Sequence, residues 1–266
     1  MDNKKAMVVI SFGSTFDETR THDIGGIEQA LAAAFPAYDH FRAFTSVIIR
    51  KRLAERGIKI YDTETVLKQL QEKGYEEVIL QPTHLLHGEE FEQKVLSLQE
   101  KYAHAFKKIR ISHPLIDSDD DFSLAASAIA AQVPTLADDE GIVFMGHGTP
   151  RNNNKAHGYT YVKLQEIFDK MHFPAIVGTV EEEDTPNLEA VLAKLKERGY
   201  KHVHMYPLMV VAGDHANNDM YSDEDDSWKT QIEALGIKTT GHLCGLGRAK
   251  SIQALYVQHV LRSLSI

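Results

Sequence analysis

The string KGYEEV at residues 73–78 returns as RGYKHV at 198–203. Its surroundings return at the same spacing of 125: Val66, Leu67 and Leu70 as Val191, Leu192 and Leu195, Pro82 as Pro207, and Gly88 as Gly213. SFGST at 11–15 and GHGTP at 146–150 correspond at a spacing near 135. Unrelated α/β units also resemble one another, but several matches at one offset point to an internal duplication. Between these strings, short apolar runs alternate with stretches of helical periodicity. That alternation predicts parallel strands joined by helical crossovers. The expected fold is α/β: two similar lobes, each a parallel sheet flanked by helices, with a cleft between them. The boundary is expected near 135–140, giving lobes 1–137 and 138–266, the second carrying the metal site.

Strands are expected at 6–12, 40–49, 77–81 and 109–113 in the first lobe, and at 142–146, 175–180, 202–211 and 237–243 in the second. Helices are expected to about Phe35, in a short basic stretch beginning with Arg50, Lys51, Arg52 and Arg56, around Val66 to Leu70, from Gly88 to about Ala105, and near 122–132. In the second lobe they are expected at 158–171, after Thr185-Pro186, at 226–235 and through Ile252, Leu255, Tyr256 and Val260. The apolar run Leu208–Ala212 reads as the end of a buried strand that breaks at Gly213 and presents His215.

Composition removes several function classes. The formal net charge is -9, against general nucleic-acid binding, which needs a basic footprint. No apolar stretch approaches the ~18 residues that span a bilayer. The apolar run before Gly13 is too short for a signal h-region, and the single cysteine, Cys244, excludes an internal disulfide. A cytoplasmic protein is expected. There is no P-loop, no dinucleotide-binding GxGxxG and no GxSxG elbow, so ATP hydrolysis, dinucleotide chemistry and serine hydrolysis lack their motifs.

Three residues with metal-binding side chains follow successive strands of the second half: His147, Glu181 and His215, 34 residues apart in each step. Parallel neighbouring strands would gather them at the carboxyl edge of one sheet, where such folds bind ligands. Two imidazoles and a carboxylate suit a first-row divalent ion such as Co, Ni, Fe or Zn, with coordination positions left open. The alternative for each histidine is a hydrogen-bonded loop residue. At the 125-residue offset Glu90 is the counterpart of His215, and Glu89 that of Asp214. Glu90 would face the metal from the other lobe and accept protons; equally, Glu89 and Glu90 are first-turn acids that favour a helix dipole. Arg42, Arg50, Lys51 and Arg52 concentrate positive charge, and Arg42 suits a substrate carboxylate better than the others, whose alternative is a solvated helix face. Ser11, Phe12 and Gly13 would line the site with backbone N–H groups, or simply form a capped turn. His84 and His87 lie near Glu90 and are within reach of a ligand there, but a structural role is the expectation.

These residues sit in strings that resemble the anaerobic cobalt chelatases of the CbiK type, relatives of ferrochelatase. The strings are VISFGST at 9–15, FRAFTSVIIRK at 41–51, GEEFE at 88–92, VFMGHG at 143–148, GTVEE at 178–182 and PLMVVAGDHANNDM at 207–220, with DSW at 226–228 and GLG at 245–247. They run in order from one end of the chain to the other. The resemblance implies a lyase-class metal chelatase that inserts Co(II) into sirohydrochlorin, or precorrin-2, on the oxygen-independent route to cobalamin and without ATP. The close alternatives are iron insertion for sirohaem and a non-catalytic cobalt or tetrapyrrole carrier. It implies metal binding by His147, Glu181 and His215, catalysis by His147, His215 and Glu90, and substrate binding by Ser11, Phe12, Gly13, Arg42 and Glu89. The partners implied are a tetrapyrrole and a divalent ion, Co(II) or else Fe(II) or Ni(II), with no further cofactor, no nucleic acid and no membrane. A homo-oligomer is compatible with the sequence.

Overall fold

A computed structural model describes residues 4–148, 160–182 and 184–265. The end of the GHGTP string and the first residues of the helix expected at 158–171 lie outside the described residues. The chain divides into two compact units, 1–118 with 247–266, and 119–246.

The first unit holds strands β1 (Lys5–Ser11), β2 (Asp39–Phe44), β3 (Glu77–Pro82) and β4 (Lys108–Ile111), ordered β2-β1-β3-β4 and all parallel. Alternate residues of a strand point to opposite faces. Ala6, Val8 and Ile10 of β1 therefore meet Val66, Leu67 and Leu70 of the helix Thr63–Glu72, with Phe91, Val95 and Leu98 beyond. Asp62 caps that helix by accepting the Thr65 N–H. Each such fully buried aliphatic side chain contributes about 1.5–3 kcal/mol relative to exposure.

The second unit repeats the plan with β5 (Glu140–Gly146), β6 (Ala175–Thr179), β7 (His202–Leu208) and β8 (Lys238–Gly241), ordered β6-β5-β7-β8, again parallel. The helix Leu188–Arg198 stands where Thr63–Glu72 stands in the first unit, and it ends on Gly199 in the left-handed conformation. Val191 and Leu195 pack with Val203, Met205 and Trp228 under the sheet. Gly13 and Gly148, equivalent in the two units, both have positive φ, 106° and 95°. The expected two-lobe α/β fold is thus present in topology, in spacing and in its turns. No helix among the described residues is long and apolar enough to cross a membrane.

Three sequence expectations are corrected. First, the strand expected at 40–49 ends at Phe44, and Val47–Glu55 is a helix. The β-branched run there looks like a strand, but Ser46 accepts the Ile49 N–H and caps a helix instead. Second, β7 ends at Leu208 rather than running to 211. Its edge partner β8 stops at Gly241, and Met209 instead accepts the Leu246 N–H. Third, the unit boundary does not fall at 137/138. The helix Asp119–Ala130 belongs with the second unit, whereas the last helix, Lys250–Leu264, returns to the first. Tyr256 on that helix is fully buried and donates its hydroxyl to the Thr83 carbonyl at 2.9 Å. Gln253 closes on Gly26, where a Cβ would come within 2.5 Å of its amide nitrogen.

Candidate metal centre

In both sheets the chain leaves the central strand toward one neighbour and returns on the other side, so the switch point lies at the carboxyl ends of β1 and β3, and of β5 and β7. Ligand sites of open α/β sheets form at that point.

The second unit places His147 there, directly after β5, between two glycines that the packing requires. A Cβ on Gly146 would lie 2.1 Å from the Tyr161 ring. Gly148 adopts φ 95°, and a Cβ on it would lie 3.0 Å from Glu181 and Asp184. Its N–H donates to the Tyr161 hydroxyl at 3.2 Å. Burial pushes that hydroxyl up to about 12, so it stays protonated at neutral pH. The turn therefore holds His147 outward and admits the Glu181 stem against the backbone.

Glu181 follows β6, its N–H directed at the His147 carbonyl at 3.4 Å. One carboxylate oxygen stands 3.9 Å from His147 Nδ1. His215 enters from the segment after β7, and its ring meets that of His147 edge-on, centroids 4.7 Å apart. Asp219, four residues on, contacts His215 Nδ1 at 2.6 Å. This contact fixes the ring and leaves Nε2 as the free nitrogen, as outer-sphere carboxylates do for metal-binding histidines. All three candidate ligands are between a third and a half exposed. The structure thus brings His147, Glu181 and His215 together. Among the described residues, the set whose donor atoms all lie within 4.8 Å of one another is a different one, Glu140, His202 and His204. The spacing at His147, Glu181 and His215 is wider.

The first unit gathers another group of named residues. Ser11 is buried at the end of β1, its hydroxyl 2.7 Å from that of Thr83. Phe12 is 51% exposed. Gly13 lies against the Phe44 ring, leaving no room for a Cβ. Its neighbours Thr45 and Ser46 donate their N–H groups to the carbonyls of Ser11 and Phe12. Val47 and Ile48, each 65% exposed, continue this apolar surface. The Thr45 hydroxyl donates to Glu90 Oε1 at 2.5 Å. Burial holds the Glu90 carboxyl above the usual carboxylate range, against the opposing pull of that hydroxyl. Glu89 is exposed and accepts from Gln93, one helical turn on, as a first-turn acid does.

Arg42 is engaged within the first unit. Its guanidinium grips Glu28 in bidentate fashion through Nε and Nη2, at 2.7 and 2.5 Å. Arg50 pairs with Asp62. His87 is held by Asp117 and Glu92, which fits its structural reading, whereas burial drives His84 down to about 4 and leaves both its ring nitrogens without a hydrogen-bond partner. The sequence reading missed Asp219 and Thr45. The i, i+4 spacing from His215 pointed to the first; the misassigned strand hid the second.

Comparison with known proteins bears on the family and on the fold. Residues 5–265 match the family described as Cobalt chelatase (CbiK). The chain is 38% identical to the sirohydrochlorin cobaltochelatase of Salmonella typhimurium, over 99% of this chain and 97% of that protein. It is 28% identical to the sirohydrochlorin cobaltochelatase CbiKC of Nitratidesulfovibrio vulgaris, over 98% and 91%. Among solved structures, SirB from Bacillus subtilis with Fe3+ is similar with a TM-score of 0.64 at 12% identity, covering 98% of this chain and 95% of that one. CbiX of siroheme biosynthesis in denitrifying bacteria is similar at 0.56 and 17% identity, over 97% and 99%. These two speak to the fold. The family match, which leaves out only four residues at the start and one at the end, and the near full-length identity speak to descent: this chain belongs to the cobalt chelatase (CbiK) family.

Proposed function

We propose that this protein inserts Co(II) into sirohydrochlorin, or precorrin-2, without ATP, and that it works in the cytoplasm. The observation that carries the reading is the edge-on pair His147 and His215, with the Glu181 carboxylate beside it, at the carboxyl ends of the second sheet. Two imidazoles and one carboxylate hold a first-row divalent ion while leaving positions open. An ion so held can be passed to stronger donors.

Insertion exchanges two inner pyrrole protons for one Co(II), so the protein must receive protons as well as deliver a metal. Glu90 suits the first task, since a carboxyl raised by burial accepts a proton more readily near neutral pH. The exposed apolar residues Phe12, Val47 and Ile48 beside it offer a flat macrocycle a surface to lie on. Backbone N–H groups near Ser11 and Gly13 would meet the macrocycle's carboxylates, with Arg42, paired to Glu28, as the other candidate.

The test is anaerobic mixing of sirohydrochlorin with Co2+, Fe2+ or Ni2+, followed by absorbance. Cobalt insertion is expected with the wild type, and a loss of at least a hundredfold with His147→Ala. Equal rates for the two proteins would overturn the site. Faster insertion of Fe2+ than Co2+ would favour sirohaem synthesis. Tight tetrapyrrole binding without a change to the metallated spectrum would make the protein a carrier.

A further inference from the structure

A second group of metal-binding side chains lies at the other ends of these strands. Glu140 opens β5 and pairs in register with His202, which opens β7. His202 and His204 are two apart on β7 and so share a face, while Val203 and Met205 turn into the core. His202 Nδ1 lies 2.8 Å from Glu140 Oε1, and His204 Nε2 lies 3.8 Å from the same oxygen. One ligand atom from each of the three residues falls within 4.8 Å of the others.

Each of the three has its other polar atom tied down. Glu140 Oε2 accepts the Ala137 N–H at 2.9 Å. His202 Nε2 meets the Thr240 hydroxyl at 2.9 Å. His204 Nδ1 meets His242 Nε2 at 3.1 Å, and the His242 ring is stacked on Tyr206 at 4.1 Å between centroids. Metal-binding residues are oriented in this way, with the outer atom of each ligand engaged and the inner atom free to bind. The inner atoms here converge on one point, and the side chains are only 14–24% exposed. A tetrahedral ion with bonds of about 2.0–2.2 Å spaces its ligand atoms about 3.3–3.6 Å apart. The present spacing needs only small side-chain rotations to meet that.

We propose that Glu140, His202 and His204 form a second divalent-metal site, selective for a first-row ion such as Zn2+ or Co2+, which clamps the start of β5 to the start of β7. His242 and Thr240 of the β8 side orient the two imidazoles. The site is separate from that of the inserted metal, since His204 stands near the start of β7 and His215 beyond its end. Binding displaces any proton shared between His202 and Glu140.

The experiment uses the full chain and Zn2+ alone, with ions per chain measured after equilibrium dialysis. The wild type should hold one more Zn2+ per chain than His204→Gln, and Zn2+ should raise its melting temperature by several degrees more. Glu140→Gln, checked for native circular dichroism, should behave like His204→Gln. Equal stoichiometry for wild type and both variants would overturn the proposal. His147→Ala reads the other site: if it keeps the wild-type stoichiometry while His204→Gln loses one ion, the second site stands even though the proposed insertion site fails.

Discussion

His215 Nδ1 lies 2.6 Å from a carboxylate oxygen of Asp219, one helical turn further along the chain. The contact fixes which nitrogen of His215 faces the neighbouring His147 ring. Asp219→Ala frees the imidazole to rotate. Cobalt affinity should fall about 10–100-fold. The loss is read by titration with Co2+ in the visible region. Asp219→Asn keeps an acceptor without the charge and should fall between the two. Because Asp219 is half exposed, melting temperatures should stay close to that of the wild type.

Gly148 supports Glu181 in a different way. Its φ of 95° disfavours any side chain, and a Cβ would lie 3.0 Å from Glu181. Gly199 has a similar φ of 69° but nothing within 4 Å of a built Cβ. Both Gly→Ala changes should therefore cost about 1–2 kcal/mol of backbone strain, or a few degrees of melting temperature. Only Gly148→Ala should also displace Glu181 and depress cobalt insertion by at least tenfold. Equal activity in the two variants would show that the crowding at Gly148 does not matter to the site.

Much of this was legible in the sequence. The 125-residue repeat fixed both sheets, because helix and strand periodicities must bury the same face in each copy. His147, Glu181 and His215 followed from strand ends. What was not legible depended on particular caps and partners that periodicity does not carry. FTSVII reads as a strand by composition, but Val47 and Ile48 are exposed and the Ser46 cap decides their conformation. The last helix follows the second unit in sequence, yet Tyr256 and Gln253 tie it to the first. Arg42 pairs with Glu28, fourteen residues away, a contact its own surroundings in the chain do not show. The convergence of Glu140 with His202 required the register of β5 on β7, which sequence spacing does not carry.

The acid limb of the pH profile should report on Glu90. Burial raises its carboxyl above the usual range and the Thr45 hydroxyl, by donating to the ionised form, lowers it again. If Glu90 accepts pyrrole protons, activity falls as pH drops through its folded value. Thr45→Val removes the lowering influence and should move this limb to higher pH. Glu90→Gln should remove the limb and reduce kcat. The stability effect has the opposite sign to that of an ordinary ion-paired acid. With the folded value raised, the native state holds the proton more tightly than the unfolded chain. Stability is then lost as pH rises from the ordinary Glu value through the folded one, and Glu90→Gln should flatten that slope in denaturant titrations.

Arg42 and Glu28 separate a structural role from a substrate one. The pair is bidentate and largely shielded, and the hydrogen bonds that Arg42 donates to Glu28 raise the guanidinium pKa still further. Removing one partner leaves a half-buried charge without its counter-ion. Arg42→Ala should destabilise the first unit by about 1–3 kcal/mol, below the 3–5 of a fully buried pair. Glu28→Gln should act in the same direction. KM for sirohydrochlorin should stay within twofold in both, measured below the onset of melting. A large rise in KM for Arg42→Ala alone, with an unchanged melting temperature, would return Arg42 to the substrate. The two outcomes differ because an ion pair internal to the fold is lost from either side, whereas a substrate contact is lost only with the arginine.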